Sequence, residues 1–240
     1  MIPSPFQATV QIAGVTSIED ARTLERLDVD LIGFPLRLGY HKPDITEYTA
    51  RDIISQLHAP KRAVLITYLT DAAEVEKFAR FLGVTTVQLH GDISPPEVAR
   101  LKDLAPDLAV IKSLIIRPES FQPSHPVYSL AREFEPLVDA FITDTFDPRT
   151  GATGATGLRH DWSVSARIRS LIQKPLILAG GLNPENVYEA ICQVRPAAVD
   201  AHTGVEDSTG NKSPSLVRKF VDEARRGFAL CFGGDRSSGD

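Results

Sequence analysis

The sequence predicts an α/β protein folded as a single (βα)8 TIM barrel with a parallel eight-stranded core. Short apolar runs rich in β-branched residues alternate with longer segments of helical periodicity, and eight such pairs can be counted along the chain. Eight consecutive strand–helix pairs favour a closed barrel over the alternative, an open doubly wound sheet. The length of 240 residues agrees, since chains of about 200–250 residues often form one α/β barrel.

The predicted elements follow one another in a regular order. Strands are expected at 9–13, 30–34, 63–68, 86–90, 108–113, 139–144, 175–180 and 197–202. Helices are expected near 17–28, 46–57, 71–82, 94–104, 127–136, 161–172, 183–193 and 213–227. In the third helix, Val75, Phe78 and Leu82 recur at steps of three and four residues, as in a helix that covers a sheet. Ser94 and Asn183 each precede a proline and mark two helix starts.

The chain is expected to form one domain, because no glycine- or serine-rich linker divides it. Residues 7–230 are assigned to the barrel and residues 1–6 to a short N-terminal extension. The tail, 231–240, lacks periodicity and is rich in small polar residues, which predicts disorder.

The composition bears on partners and location. A net charge of −5 gives no basic face for nucleic acid. No apolar run reaches the ~18 residues of a membrane span and none resembles a signal peptide, so we expect a cytoplasmic protein without a membrane partner. Cys192 and Cys231 belong to no cluster with metal-ligand spacing, and no motif indicates a cofactor.

Active sites of such barrels lie at the carboxyl ends of the strands. This rule selects a short set of candidate positions: Ala13, His90, Lys112, Asp144, Gly180, Gly181, Asp200 and His202.

Two glycine-containing segments predict a phosphate site. In ILAGGLNPENV (177–187) a strand runs into two glycines and then a helix start, whose amides can bind an anion. A tight turn without a ligand is the alternative. The second segment, 201–213, follows the eighth strand, and loops after strands seven and eight often bind phosphate in barrels. Together they favour a small phosphorylated ligand.

Three charged or titratable residues have competing interpretations. Asp144 is followed by a long glycine-containing loop, either a lid or a mobile surface loop; burial under a lid would raise the pKa of Asp144 and make it a proton donor. Alternatively, Asp144 caps a turn. His90 either binds substrate or is held by backbone groups. Lys112 forms a Schiff base, contacts an anion or makes a structural ion pair.

These segments together resemble the phosphoribosylanthranilate isomerase family. Its members are (βα)8 enzymes of tryptophan biosynthesis that rearrange an aminoaldose into an aminoketose. The resemblance covers nearly the whole chain, and QLHG (88–91), AGGLNPENV (179–187) and TGVE (203–206) occur in the family's order and spacing.

The resemblance implies roles for individual residues. Asp144 would be the general acid that opens the ribose ring, and Asp200 would face the substrate. Phosphate would bind at Gly180, Gly181 and Asn183 after the seventh strand and at Thr203 and Gly204 after the eighth. The lid motif of the family falls on Gly154, Thr156 and Gly157.

Three departures separate this chain from the family pattern. The family's K-I-C-G supplies a cysteine base, whereas this chain has Gln11-Ile12-Ala13-Gly14; losing a positioned base costs about 10²–10⁴-fold in rate. The family's arginine after the second strand, which recognises the anthranilate carboxylate, has no counterpart in frame. Arg37 is a substitute, as are His41 and Lys42. His202 replaces a serine beside the expected phosphate.

Three functions therefore remain open. The first is isomerisation of the family's substrate with another group as base, for which Asp200 and His202 are candidates. The second is a divergent isomerase or lyase acting on a related phosphosugar. The third is a catalytically inactive protein that binds a phosphorylated ligand or a partner. A monomer or a homodimer is expected in each case.

Overall fold

The computed structural model describes residues 6–39, 45–58, 63–147 and 157–232 of the chain. Eight parallel strands hydrogen-bond in chain order, and the first pairs with the eighth to close the barrel. Each strand is followed by a helix on the outside of the sheet, which returns the chain for the next parallel strand. The predicted (βα)8 TIM barrel is confirmed.

All sixteen predicted elements are present; the first strand has its predicted bounds, and each of the others is shifted at one end or both. The strands are β1 Thr9–Ala13, β2 Leu31–Pro35, β3 Ala63–Thr67, β4 Thr86–Leu89, β5 Ala109–Ile116, β6 Ala140–Thr145, β7 Leu176–Leu178 and β8 Ala198–Ala201. The helices are α1 Ile18–Arg26, α2 Glu47–Ser55, α3 Ala72–Leu82, α4 Pro95–Leu104, α5 Pro126–Phe134, α6 Trp162–Leu171, α7 Val187–Val194 and α8 Pro214–Phe232.

The seventh helix begins later than its sequence predicts. Asn183 does act as a cap, because its Oδ1 accepts from Glu185 N at 2.9 Å and its carbonyl accepts from Val187 N at 3.1 Å. The intervening residues nevertheless form a turn, and regular helix starts only at Val187. This turn holds the chain close to the carboxyl end of β7.

Within the described residues, the barrel includes residues beyond both predicted domain boundaries. Phe6, assigned to the extension, is buried in the barrel interior beside Ala140 and Ala198. The last helix continues to Phe232, past the boundary at 230, because Phe228 is buried and Phe232 packs against the core. Residues 1–5 and 233–240 lie outside the described ranges.

Strand residues alternate between the helix layer and the barrel interior, as the two-residue period of a strand requires. In β1, Val10 and Ile12 belong to the core between sheet and helices, whereas Ala13 belongs to the interior cluster. The same alternation in the other strands places carboxyl-end side chains at the barrel mouth. Within the described ranges, none of the helices combines the length and apolar character needed to cross a membrane.

Candidate active site

The turns after β7 and β8 pack so closely that only glycine fits at two positions. A Cβ on Gly181 would lie 2.6 Å from the carbonyl carbon of Leu158, and one on Gly204 would lie 2.0 Å from the carbonyl oxygen of Leu182. Gly180 and Gly181 also have φ of +93° and +64°, in the left-handed region. We call residues 180–183 and 203–204 the phosphate turns.

The structure brings the predicted phosphate residues together. Gly157 has φ +66°, and a Cβ there would lie 3.4 Å from Thr203 Oγ1, so the segment after the predicted lid meets the turn after β8. Within the described ranges, the N–H groups of Gly180 and Gly181 make no hydrogen bond. Asn183 N already donates to Asn186 Oδ1 at 2.9 Å. Free backbone donors in a left-handed turn form a concavity suited to an anion.

A buried polar chain that the sequence patterns did not predict lies behind the phosphate turns. His160 Nδ1 is 2.9 Å from Thr145 Oγ1, and its Nε2 is 2.6 Å from Ser165 Oγ. Burial lowers the pKa of His160 to about 4, so the ring is neutral. A Cβ on Gly180 would lie 2.1 Å from Thr145 Oγ1. These hydrogen-bonded side chains therefore support the turn at Gly180 from the barrel side. The sequence signal for them is the segment RHDWS (159–163), which follows the long loop.

Asp144 lies at the carboxyl end of β6, half-buried at the mouth. Burial raises its pKa to about 8 against an opposing hydrogen bond from Thr145 N at 2.8 Å, and the nearby charge of Asp200 raises it further. The carboxyl is therefore protonated at neutral pH and can donate a proton.

Asp200 lies one layer deeper on β8, where Gln11 of β1 is its register partner. Burial raises the pKa of Asp200 to about 7, while Gln11 and Lys212 oppose that rise. Within the described residues, Oδ1 of Asp200 has no hydrogen-bond partner.

A polar layer crosses the barrel beneath the mouth. Gln11 Nε2 donates to Gln88 Oε1 at 3.2 Å, Gln88 Nε2 donates to Ser113 Oγ at 3.4 Å, and Ser113 Oγ is 3.0 Å from His90 Nδ1. His90 is thus oriented by a side chain, and its ring packs on Tyr68 with centroids 4.8 Å apart. The layer links the floor of the site to His90.

Lys112 points away from the barrel interior. Its amine donates to Gly91 O at 3.0 Å and to Ser113 O at 3.2 Å, and it lies 5.6 Å from the Phe134 ring of α5. Burial lowers the pKa of Lys112 to about 8. Backbone carbonyls therefore hold this amine on the helix side of β5, which does not favour Schiff-base chemistry.

Arg37 also points away from the mouth. Its guanidinium pairs with Glu47 at 2.8 Å and lies 4.0 Å from the Phe78 ring, on the outer side of β2. The pKa of Arg37 is raised by that hydrogen bond. The structure therefore does not bring Arg37 to the other candidate residues. His41, Lys42, Gly154 and Thr156 lie outside the described ranges.

A cavity of about 740 Å³ opens beside the mouth, between β3, β5 and α5. His90, Tyr68 and Ile115 line it, and Ile115 is the register neighbour of Asp144, so the cavity adjoins Asp144. Arg117 lines it too, with its guanidinium 4.0 Å from the Phe146 ring. Within the described ranges Arg117 has no ion pair. Its place directly after β5 is the sequence signal that could have identified it.

An imidazole lies over the end of β1. A Cβ on Gly14 would lie 2.0 Å from His202 Nε2, so the ring covers the end of β1 beside Ala13. Glu206 Oε1 is 3.4 Å from His202 Nε2 and 2.6 Å from Lys212 Nζ. Glu206 and Lys212 were not singled out from the sequence. Among the described residues, no cluster of side chains has the composition of a metal site.

Comparison with known proteins agrees with this arrangement. Residues 10–223 match the family model described as N-(5'-phosphoribosyl)anthranilate isomerase. The chain is 37% identical over 221 residues to N-(5'-phosphoribosyl)anthranilate isomerase 2 of Methanosarcina mazei, covering 91% of this chain and 95% of that protein.

Solved structures show the same relationship. One of mutually generated monomers of the dimeric enzyme from Thermotoga maritima matches with TM-score 0.74 at 27% identity, covering 91% of this chain and 98% of that one. Another, of a phosphoribosyl anthranilate isomerase in complex with reduced 1-(o-carboxyphenylamino)-1-deoxyribulose 5-phosphate, matches with TM-score 0.74 at 28% identity and the same coverage. The chain belongs to the N-(5'-phosphoribosyl)anthranilate isomerase family.

Proposed function

We propose that this protein isomerises N-(5'-phosphoribosyl)anthranilate, an aminoaldose, to the corresponding aminoketose. The observation that carries the proposal is the position of Asp144. Its carboxyl is protonated at neutral pH and stands at the mouth of the barrel, between the phosphate turns and a cavity large enough for an aromatic ring. Family membership supplies the reaction class.

Asp144 is the general acid of the proposed reaction. It would give its proton to the ribose ring oxygen as the bond from that oxygen to C1 breaks and C1 becomes an iminium carbon. A carboxyl with a pKa of about 8 holds its proton until this step, and the ionised form is stabilised afterwards by Thr145 N.

The phosphate turns bind the 5'-phosphate. The free N–H groups of Gly180 and Gly181 would donate to it, and Thr203 adds a hydroxyl from the neighbouring turn. The glycines are needed because the turns approach each other and residue 158 too closely for a side chain.

Arg117 binds the anthranilate carboxylate in this proposal. It lines the cavity and makes no ion pair within the described ranges, whereas Arg37 is paired with Glu47. A guanidinium presents two parallel donors to a carboxylate. His90 and Tyr68 provide an aromatic wall for the ring.

A divergent isomerase or lyase on a related phosphosugar is the second candidate function. The observation that favours it is the methyl group of Ala13, where the family motif has a cysteine base. An inactive ligand-binding protein is disfavoured by the protonated Asp144, because burying a carboxyl costs free energy that binding alone does not require. The cytoplasmic location and the monomeric or homodimeric state remain proposals.

The test is to supply phosphoribosylanthranilate to the purified protein and follow the decay of its fluorescence. We expect turnover with saturation kinetics, and tight binding of the reduced carboxyphenylamino-deoxyribulose phosphate. Binding of this analogue without turnover of phosphoribosylanthranilate would favour the divergent function. If the protein neither binds the analogue nor turns over phosphoribosylanthranilate, the isomerase proposal is refuted.

A further inference from the structure

Two departures from the family motifs meet at one place in the barrel. β1 and β8 are neighbours with Ile12 and Ala201 in register, so the next residues, Ala13 and His202, end adjacent strands. The His202 ring lies directly on Gly14, since Nε2 would be 2.0 Å from a Cβ there. An imidazole therefore stands where the family pattern places a thiol.

We infer that His202, oriented by Glu206, is the general base that removes the proton from C2 of the opened substrate. The inference rests on the proposed isomerase function and adds the group that this function lacks. Its basis is the position of the His202 ring at the end of β1 and its contact with the half-buried carboxylate of Glu206.

Glu206 faces the ring of His202. Its Oε1 lies 3.4 Å from His202 Nε2, so the carboxylate favours the ring position seen here and would stabilise an imidazolium. Lys212, whose side chain is 0% exposed, holds Glu206 at 2.6 Å and donates to the carbonyl of His202 at 3.2 Å. The same lysine thus fixes both the carboxylate and the backbone of the histidine. This is the base-and-orienting-carboxylate arrangement of other enzymes.

The surroundings of His202 favour its neutral form in the absence of ligand. Burial and the charge of Lys212 lower its pKa to about 3, so the ring is neutral before substrate binds. The next two residues, Thr203 and Gly204, belong to the phosphate turns. A phosphate dianion bound there would raise the pKa of His202 and stabilise the imidazolium that forms.

Asp200 fits this role less well. It lies two residues earlier on β8, opposite Gln11, and is only 9% exposed. It is therefore one layer below His202, which directly follows the same strand. Its contribution is to raise the pKa of Asp144.

The proposed sequence of proton transfers is balanced. Asp144 protonates the ring oxygen as the bond to C1 breaks, which gives the open iminium. The His202 imidazole then takes the C2 proton, and the electrons of that bond form C1=C2 while the C=N double bond becomes an amine. The resulting enol loses its hydroxyl proton and C1 gains one, which yields the ketone at C2. Solvent returns the proton from His202 to Asp144, so the enzyme ends unchanged.

The first test compares His202→Asn with the wild-type protein on phosphoribosylanthranilate. We expect kcat to fall by about 10²–10⁴-fold while KM stays within about threefold. Substrate deuterated at C2 should show a primary isotope effect in the variant, because C2 proton removal becomes rate-limiting. The control is His58→Asn, which removes an exposed histidine paired with Glu25 at 3.0 Å, remote from the mouth; it should leave kcat unchanged. His202→Gln replaces the first variant if that does not fold by circular dichroism.

The second test reverses both departures from the family pattern, at Ala13 and at His202. Ala13→Cys combined with His202→Ser restores the motif pattern of the family and should recover most of the activity that His202→Ser alone loses. Glu206→Ala should lower kcat about tenfold without changing KM, and Glu206→Gln, which keeps the shape of the side chain beside the ring, should recover most of it.

The outcomes separate the inference from the proposed function. Turnover by wild type with an undiminished kcat in His202→Asn or His202→Gln would overturn the base assignment alone. No turnover by wild type would refute the isomerase function and the base assignment with it.

Discussion

The two sides of the barrel mouth are built by different means. On one side, the phosphate turns are shaped by glycines whose neighbours leave no room for a side chain, and what they offer a ligand is backbone N–H groups. On the other side, at the end of β1, the space is filled by the side chains of His202 and Glu206. A turn that depends on glycine tolerates few substitutions, whereas a functional side chain can be supplied by either of two neighbouring strands. Two of the three departures from the family pattern, at Ala13 and His202, lie on the β1 side.

The largest expected effect is that of removing the acid shared by both sides. Asp144→Asn should lower kcat by about 10²–10⁴-fold, because the amide cannot protonate the ring oxygen. KM for phosphoribosylanthranilate should change little, since the amide keeps the shape. A raised KM with an unchanged kcat would contradict the acid role. Steady-state fluorescence kinetics provide the measurement.

A second prediction contrasts two arginines. Arg117→Ala should raise KM by about 10–100-fold, because hydrogen bonds between charged groups contribute about 1.5–3 kcal/mol. Arg37→Ala should leave KM unchanged, since Arg37 pairs with Glu47 on the outer side of the sheet. If Arg37→Ala raises KM and Arg117→Ala does not, the carboxylate site has been placed on the wrong strand.

A third prediction concerns the backbone side and uses two glycines of similar φ. Gly181→Ala should weaken binding of the reduced analogue by about tenfold, because its Cβ would lie 2.6 Å from the backbone of Leu158 and displace the turn. Gly83 has φ +75°, and among the described residues no atom lies within 4 Å of the place that a Cβ would take there. Gly83→Ala therefore introduces the strain of a positive φ without a steric clash, and it serves as the control.

Calorimetric titration with the analogue distinguishes the two variants. Equal affinities would show that close approach at Gly181 is unrelated to ligand binding. The thermal unfolding of both variants, measured in parallel, separates loss of the turn from loss of the fold.

The last prediction concerns the pH dependence of stability. Burial raises the pKa of Asp144 to about 8 and that of Asp200 to about 7, well above the ordinary value of 3.8. Folded carboxyls with raised pKa values contribute stability at low pH that is lost as the pH rises through those values. The free energy of unfolding of Asp144→Asn, relative to wild type, should therefore increase between about pH 4 and pH 8. Urea unfolding at several pH values gives this difference, and a difference independent of pH would contradict the raised pKa.

The sequence by itself determined the fold and the backbone side of the site. Strand and helix periods are local, so all eight pairs could be read, and the glycines at 180, 181 and 204 identify turns that a side chain would obstruct. Asp144 was also identifiable, because its place at the end of β6 follows from the strand pattern.

Only the tertiary structure decided which side chains meet. Arg37 and Arg117 both follow strands, yet one turns outward to Glu47 and the other lines the cavity. The meeting of His202 with the end of β1 depends on the closure of the barrel between its first and last strands. Such contacts join residues far apart in the chain, and local propensity carries no information about them. The sequence shows a methyl group at Ala13, and only the closed barrel shows that the imidazole of His202 lies at the end of the adjacent strand.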